Sequence, residues 1–412
     1  MRSWWTYALI TLVVFFALRL PFFASIPIGL NRDEAALGYN AFSILQTGRD
    51  EYDTWFPVSI ASFGDQKLPA YVYTLIPFIG AFGLHPWVVR LPSLLAGAII
   101  VLLVGKLAEY FAPHITKNKK LQSVSSLVAM LLVALSPWSN HFSRVAYEAH
   151  EGMMFFLAGL LMYIKSRDSK TLRPSITWTA VFWSLSLLSY HSYHILIPLT
   201  VLALCIIDIS LIKKTSITTL GIAVAIGLSV ISLMVLGGVW SGNAKKSQGI
   251  SPFHADSLWR SVTLYRAATP WLEPLNKILF NPTTEAVYRF TTNYASTLSG
   301  AFYFVRGASH PDHNPGGVPN FHLYALMFVL IGLGTLWEKQ HTFEGKLLLS
   351  ILAIGLAVPS FTIHPEHTVR LSPIFPFIDL VASIGMIVVF ESLQSTKVKK
   401  IMLVSFLAIV LW

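Results

Sequence analysis

The chain is poor in charge. Only 12% of its 412 residues are Asp, Glu, Lys or Arg, against about 25% in ordinary soluble domains. The apolar residues, 54% of the chain, come in long blocks and not in the stripes of a water-facing helix, which excludes a soluble globular domain. Cysteine is all but missing. Cys205 alone sits in an apolar run, so a disulfide framework and a cysteine metal site are both excluded, and it reads as a small buried hydrophobe. Acidic residues are scarce, 20 against 30 Lys and Arg, for a net charge of +10. In a membrane protein such a surplus belongs to cytoplasmic loops facing anionic lipid, so no nucleic-acid partner is expected. Internal repeats and low-complexity tracts are missing too, as is the weak alternation of a membrane β-barrel.

What is present are spans. "WWTYALITLVVFFALRLPFF" (4–23) and "LPSLLAGAIIVLLVGKLAEYF" (91–111) are each long enough for a bilayer core, which takes ~20 residues of helix. The class is therefore all-α, a polytopic transmembrane helical bundle. The first block is long and aromatic, with no small-residue cleavage site after it, and reads as a retained helix. Five basic loops, 113–120, 165–173, 213–214, 338–346 and 395–400, belong on the cytoplasmic side. Placing them there predicts helices at about 4–23, 91–111, 121–140, 147–164, 175–191, 194–212, 217–240, 320–337, 346–361 and 374–391. An eleventh begins at Ile401. Residues 24–90 and 241–319 become outer loops of one domain, 1–412.

The segment "LPAYVYTLIPFIGAFG" (68–83) carries Pro77 and has only sixteen residues. If it crossed, "KNKK" (117–120) would fall outside, so it is expected to lie at the outer interface or to re-enter. The last run stops at Trp412, about 18 Å along at ~1.5 Å per residue, and the expectation is a chain truncated at its C-terminus. In the 241–319 loop, short helices are expected near 255–268 and 284–298, with Lys245, Lys246, Arg260, Arg266, Arg289, Arg306 and "HPDHNPGG" (310–317) around them. Loops this long are usually functional or disordered, and this one is expected to cover the active site.

On this topology eleven of the thirteen histidines fall at or near the outer face, and six of the twenty acidic residues lie in the first outer loop. Within "GLNRDEAALGYNAF" (29–42), Asn31 can cap a helix with Glu34 reaching back, as in a capping box. Leu37, Ala41, Ile44, Leu45 and Gly48 then share a face, so 32–47 reads as an amphipathic interfacial helix that Gly48 can end. Capping explains Glu34 but does not require Asp33 beside it. Arg144, Glu148 and Glu151 stand at i, i+4 and i+7, the spacing of an ion pair on one helix face. Asp379 inside a span is costly and should face the bundle interior.

The order Asp33-Glu34-Ala35, Thr47-Gly48-Arg49-Asp50, Lys67-Leu68-Pro69 with Tyr71 and Tyr73, then Trp87, Arg90, Pro92 and Ser93, resembles the first outer loop of GT-C membrane glycosyltransferases. The similar branch holds the protein O-mannosyltransferases, the lipid A aminoarabinose transferase and the Rgt-type enzymes. The likeness is densest over 15–110 and continues weakly through 135–156 and 188–199. Two departures stand out: Gln66 replaces the Glu of the aminoarabinose transferases, and Leu68 intervenes between Lys67 and Pro69.

The resemblance implies an inverting single displacement. A hexosyl or pentosyl group would pass from a polyprenyl-phosphate carrier, of the dolichyl-phosphate-mannose kind, to a lipid, glycan or protein acceptor. The active site would lie on the extracytoplasmic side of the plasma membrane. That chemistry needs a general base, cations for the departing phosphate and a groove for the prenyl chain. Asp33 is the candidate base, with Glu34 beside it and Glu148 a secondary candidate. Lys67 and Arg90 are candidate phosphate ligands. Arg370, where a helix re-enters the membrane, is either a third or an interfacial anchor. His364, His367 and His191 are candidate contacts to substrate or metal. No cofactor is assigned, and a divalent metal is left open. The competing reading is a transporter or flippase of lipid-linked sugars, which predicts broken helices and polar groups at mid-membrane. Here the polar clusters sit at the outer edge.

Overall fold

The computed structural model describes residues 2–63, 65–167, 172–239, 251–308, 313 and 317–393. The expected eleventh helix, the 395–400 loop, Lys245, Lys246 and His310 lie outside the described residues. In chain order the elements are α1 (Arg2–Arg19), α2 (Arg32–Thr47), β1 (Ile60–Ser62), β2 (Asp65–Lys67), α3 (Pro69–Phe82), α4 (Pro86–Ile115) and α5 (Lys119–Leu135). There follow α6 (Pro137–Phe142), α7 (Glu148–Ser166), α8 (Leu172–Leu187), α9 (Tyr193–Ile207), α10 (Ile209–Lys214) and α11 (Ile217–Leu236). The rest are α12 (Ala255–Ala268), α13 (Leu275–Leu279), α14 (Pro282–Thr297), α15 (Ala325–Glu338), α16 (Phe343–Ser360), α17 (Thr368–Leu371) and α18 (Phe375–Ser392). The helices expected near 255–268 and 284–298 are present as α12 and α14.

Four helices are long and apolar enough to cross a membrane: Pro86–Ile115, Ile217–Leu236, Phe343–Ser360 and Thr368–Ser392. Four shorter apolar helices accompany them, so length and apolarity by themselves do not reach the expected eleven spans. Helix α3, with 14 residues, extends about 21 Å at ~1.5 Å per residue, short of a ~30 Å hydrocarbon core. It packs on α2 and α4. The spans pack closely where glycine removes the side chain. A Cβ on Gly332 of α15 would collide with the Val381 carbonyl of α18, and one on Gly385 of α18 with that of Phe328. Backbones approach there as small residues allow between membrane helices.

The helix ends sort into two sets. At one end Thr116 bonds Glu391 at 2.6 Å, Tyr110 bonds Glu344 at 3.1 Å, and Arg167 pairs with Asp208 at 3.2 Å. Four of the five basic loops, 113–120, 165–173, 213–214 and 338–346, belong to this end wherever their residues are described. At the other end the 24–68 segment meets the turns 136–147, 188–192 and 361–373. Asp379, near the start of α18, faces inward as expected: its carboxylate accepts from Ser136 Oγ at 2.9 Å and Trp138 Nε1 at 3.0 Å.

One knot fixes this second end. Asn31 caps α2, accepting from the Glu34 N–H at 2.9 Å while Glu34 Oε2 accepts from the Asn31 N–H at 3.1 Å, the expected capping box. Glu34 does more than cap. Its Oε1 accepts from Arg90 Nε of α4 at 2.8 Å and from the Ala146 N–H at 3.0 Å, and its Oε2 from Arg90 Nη2 at 3.1 Å. Arg90 also donates to the carbonyls of Pro27 and Gly29. Both side chains are almost wholly buried, at 0% and 2% exposure. Gly48, at φ 74°, ends α2 as expected.

Breaking such a pair from one side strands a buried charge, a cost of about 3–5 kcal/mol. Glu34→Gln should therefore lower the unfolding midpoint of the detergent-solubilised protein markedly. Adding Arg90→Gln should restore part of it by removing the stranded charge. An unchanged midpoint in Glu34→Gln would show that the pair holds nothing together.

Candidate functional site

Asp33 and Glu34 are neighbours on the first turn of α2, so their side chains point about 100° apart. Glu34 turns inward to the knot. Asp33 turns outward and remains 48% exposed, where Lys67 Nζ reaches its Oδ1 at 2.8 Å. The Lys67 side chain is itself only 5% exposed, so its ammonium meets the carboxylate nearly covered by the protein. Arg32 stands 4.0 Å from the same oxygen.

The hairpin β1–β2 delivers Lys67. Ile60 pairs with Lys67, Ala61 with Gln66 and Ser62 with Asp65. Three-residue strands carry too little periodicity to be read beforehand, and this hairpin was missed by the all-α expectation. Ser59 Oγ donates to Gln66 Oε1 at 2.8 Å, and Tyr73 of α3 donates to the Pro57 carbonyl at 3.1 Å. Burial together with Asp50 raises the Tyr73 pKa above its usual value, which keeps it a donor. Leu68 and Pro69 then start α3 at once, and the Ala70 N–H bonds the Leu188 carbonyl at 3.1 Å.

A relay of contacts leads from Lys67 to the other candidates. His191 Nε2 lies 3.4 Å from the Gln66 carbonyl, and Ser192 Oγ donates to the Arg370 carbonyl at 3.4 Å. Arg370, half-buried, donates from Nη1 to Thr362 Oγ1 at 2.9 Å and to the His364 carbonyl at 3.4 Å. His367 caps α17, its Nδ1 accepting from the Arg370 N–H at 3.4 Å, and its ring centre is 4.5 Å from that of His313. His364 is exposed, and Glu148 is half-buried at the first position of α7. Among the described residues no group of three or more His, Cys, Asp or Glu side chains is placed to hold a metal ion. His191, His364 and His367 are thus not gathered into a ligand set there.

Two expectations need correction. Arg90 is not placed for a phosphate: it is fully buried, and its guanidinium is taken up by Glu34 and two backbone carbonyls. Arg144 and Glu148 do not share a helix face. Helix α7 begins at Glu148, and Arg144 in the preceding turn donates to the carbonyls of Arg19, Pro21 and Ile26 at 2.7, 3.0 and 3.2 Å.

The segment 251–308 sits on the end of α16. Asn293 Nδ2 donates to the carbonyls of Ser360 and Thr362 at 3.0 and 2.9 Å, and Arg306 pairs with Glu366. The basic side chains that seemed available in this loop are partly occupied within it. Arg289 binds Glu285, Ser257 and Ser261.

No protein-family model and no curated protein matches the chain. Solved structures do. The oligosaccharyltransferase AglB from Archaeoglobus fulgidus, in complex with an inhibitory peptide and a dolichol-phosphate, has a TM-score of 0.57 at 12% identity, covering 94% of this chain and 50% of its own. ArnT from Cupriavidus metallidurans bound to undecaprenyl phosphate has a TM-score of 0.52 at 14% identity, covering 94% and 60%. The same enzyme in its apo state has a TM-score of 0.55 at 12% identity, covering 96% and 60%. The chain spans half to three fifths of the length of these proteins. At such identities the likeness is one of fold, and together with the four long apolar helices it describes an integral membrane protein. Its architecture is that of the solved AglB and ArnT structures.

Proposed function

We propose that this chain is a glycosyltransferase that moves a sugar from a polyprenyl-phosphate carrier to an acceptor at the extracytoplasmic face, by single displacement with inversion. The observation that carries the reading is the Asp33–Lys67 pair: a half-exposed carboxylate met by an ammonium whose stem is buried, 2.8 Å apart. The fold supports it, since solved proteins of this architecture carry dolichol-phosphate and undecaprenyl phosphate.

Each group has one task. Asp33 takes the proton of the acceptor hydroxyl. The freed oxygen attacks the anomeric carbon, and the bond from that carbon to the phosphate oxygen breaks with its electron pair on phosphate. Lys67 and Arg370 hold that phosphate through charge-assisted hydrogen bonds, which are among the strong ones. Without donor, Lys67 rests on Asp33. A bound phosphate competes for the ammonium and leaves the carboxylate open to the acceptor. Glu148, at the start of α7, is the reserve carboxylate. The end of the bundle carrying 24–68 faces outward, because the basic loops gather at the other end.

The test begins with the lipid that co-purifies with the protein, identified by mass spectrometry and then used as donor. Asp33→Asn should fold, insert and bind that donor, yet lose at least about a hundredfold in transfer, within the ~10²–10⁴ range of general-base catalysis. Near-full activity in folded Asp33→Asn would remove it as the base. Lys67→Ala and Arg370→Ala should each weaken donor use by about tenfold or more, ~1.4 kcal/mol per decade. Unchanged donor dependence in either variant takes that residue out of the site. Orientation is checked by single-cysteine labelling in a Cys205→Ser background. Positions 50, 280 and 367 should react with an impermeant reagent from outside and 118 should not. Reaction at 118 from outside would overturn the assigned side.

A further inference from the structure

A cavity of about 590 Å³ opens between the end of α1, the 21–27 segment, α6, the 318–320 segment and the start of α17. Phe22, Ile26, Pro27 and Trp138 make its apolar wall, and His141 and Arg144 its polar one. It borders the Arg370 side, since Thr368 and His313 line it and the His313 ring lies against that of His367. It also reaches the 27–34 turn, where Pro27 lines the cavity and its carbonyl binds Arg90 in the Glu34 knot.

Its charge is unbalanced. Arg144 gives three N–H bonds to carbonyls, which leaves its Nε–H and the second Nη1–H over. Arg19 behind it is fully buried and donates to the carbonyls of Phe15 and Ala134 and to Ser139 Oγ. Among the described residues neither arginine has a carboxylate within ion-pair distance. Burial, and then the nearby Arg90 guanidinium, push the Arg144 pKa below its usual value. An anion in the cavity would pair with the Arg144 guanidinium. Along the 20–28 segment, of which Phe22 and Ile26 line the cavity, Leu20, Phe22, Ile26 and Ile28 are 54%, 71%, 50% and 97% exposed. An apolar lip beside an unneutralised guanidinium at the outer end of a membrane bundle suits one class of ligand.

We propose that this cavity binds a lipid with an acidic headgroup: its phosphate or carboxylate on Arg144, its chains over the 20–28 lip. Resting on the transferase reading, that lipid is the acceptor.

Binding can be tested without transfer, so the cavity can fail while the enzyme reading stands, and the reverse. Dodecyl phosphate is titrated calorimetrically into protein held in neutral dodecyl maltoside, in a Lys67→Ala background that also carries Arg370→Ala, so that both proposed donor-side cations are gone. It should bind, and far more tightly than inorganic phosphate. Arg144→Gln should weaken it at least tenfold. Asn140→Glu, which places a negative charge at an exposed position lining the cavity, should do the same without touching the Arg144 carbonyl contacts, and decides the matter if Arg144→Gln does not fold. Absence of binding in that background, or unchanged affinity in folded Asn140→Glu, overturns the proposal. Inorganic phosphate binding as tightly as dodecyl phosphate would make this a free-anion site and also overturn it.

Discussion

The end of this molecule that carries Asp33 and Lys67 depends on a single buried ion pair. Glu34 and Arg90 belong to segments 56 residues apart. Through their remaining donors and acceptors they also hold the 27–31 turn and the Ala146 turn. A pair with no solvent contact gains little net stability over an apolar replacement of the same shape. What it supplies is position. A bidentate guanidinium fixes distance and plane together, so the first turn of α2 has one orientation relative to α4. Asp33 inherits that orientation.

Two adjacent carboxylates thereby acquire different roles from geometry alone. Successive helical side chains diverge by about 100°. Once Glu34 is locked inward, Asp33 must face the groove. The same division explains why the neighbouring cations differ. Arg90, buried and saturated, serves structure, while Lys67 arrives with a buried stem and an ammonium set against a half-exposed carboxylate. An ammonium is a compact donor that can change partner without giving up a planar fork. That suits a group passing from Asp33 to a phosphate.

Much of this was legible in the sequence where the signal is local. Asn31 and Glu34 are three residues apart, so their capping box could be read directly, as could the Gly48 stop and the hydrophobic spans. Helices α12 and α14 formed where short helices were expected inside the long loop. What escaped were relations between distant segments. That Arg90 answers Glu34 is not written in either neighbourhood, and a motif holding both could equally suggest a phosphate ligand. Arg144 and Glu148 have helical spacing, but Tyr147 ends the preceding turn, so the spacing carries no contact. The hairpin that delivers Lys67 is too short for a period-two pattern to show.

The placement of charge follows from the solvent. Inside a bilayer core an ionised group is costly, and it persists where water, headgroups or a ligand can reach it. The basic loops at one end and the relay from Asp33 through Lys67 and His191 to Arg370 at the other obey that rule. Arg19 and Arg144 obey it only in part, since carbonyls satisfy hydrogen bonds without neutralising charge. Two cations held so, beside a cavity that reaches the 27–34 turn at Pro27, are what the proposed anionic ligand would neutralise. Their setting still depends on the pair: the Pro27 carbonyl binds Arg90 while Pro27 itself lines the cavity, so the orientation that Glu34 and Arg90 impose on the turn extends to the cavity wall.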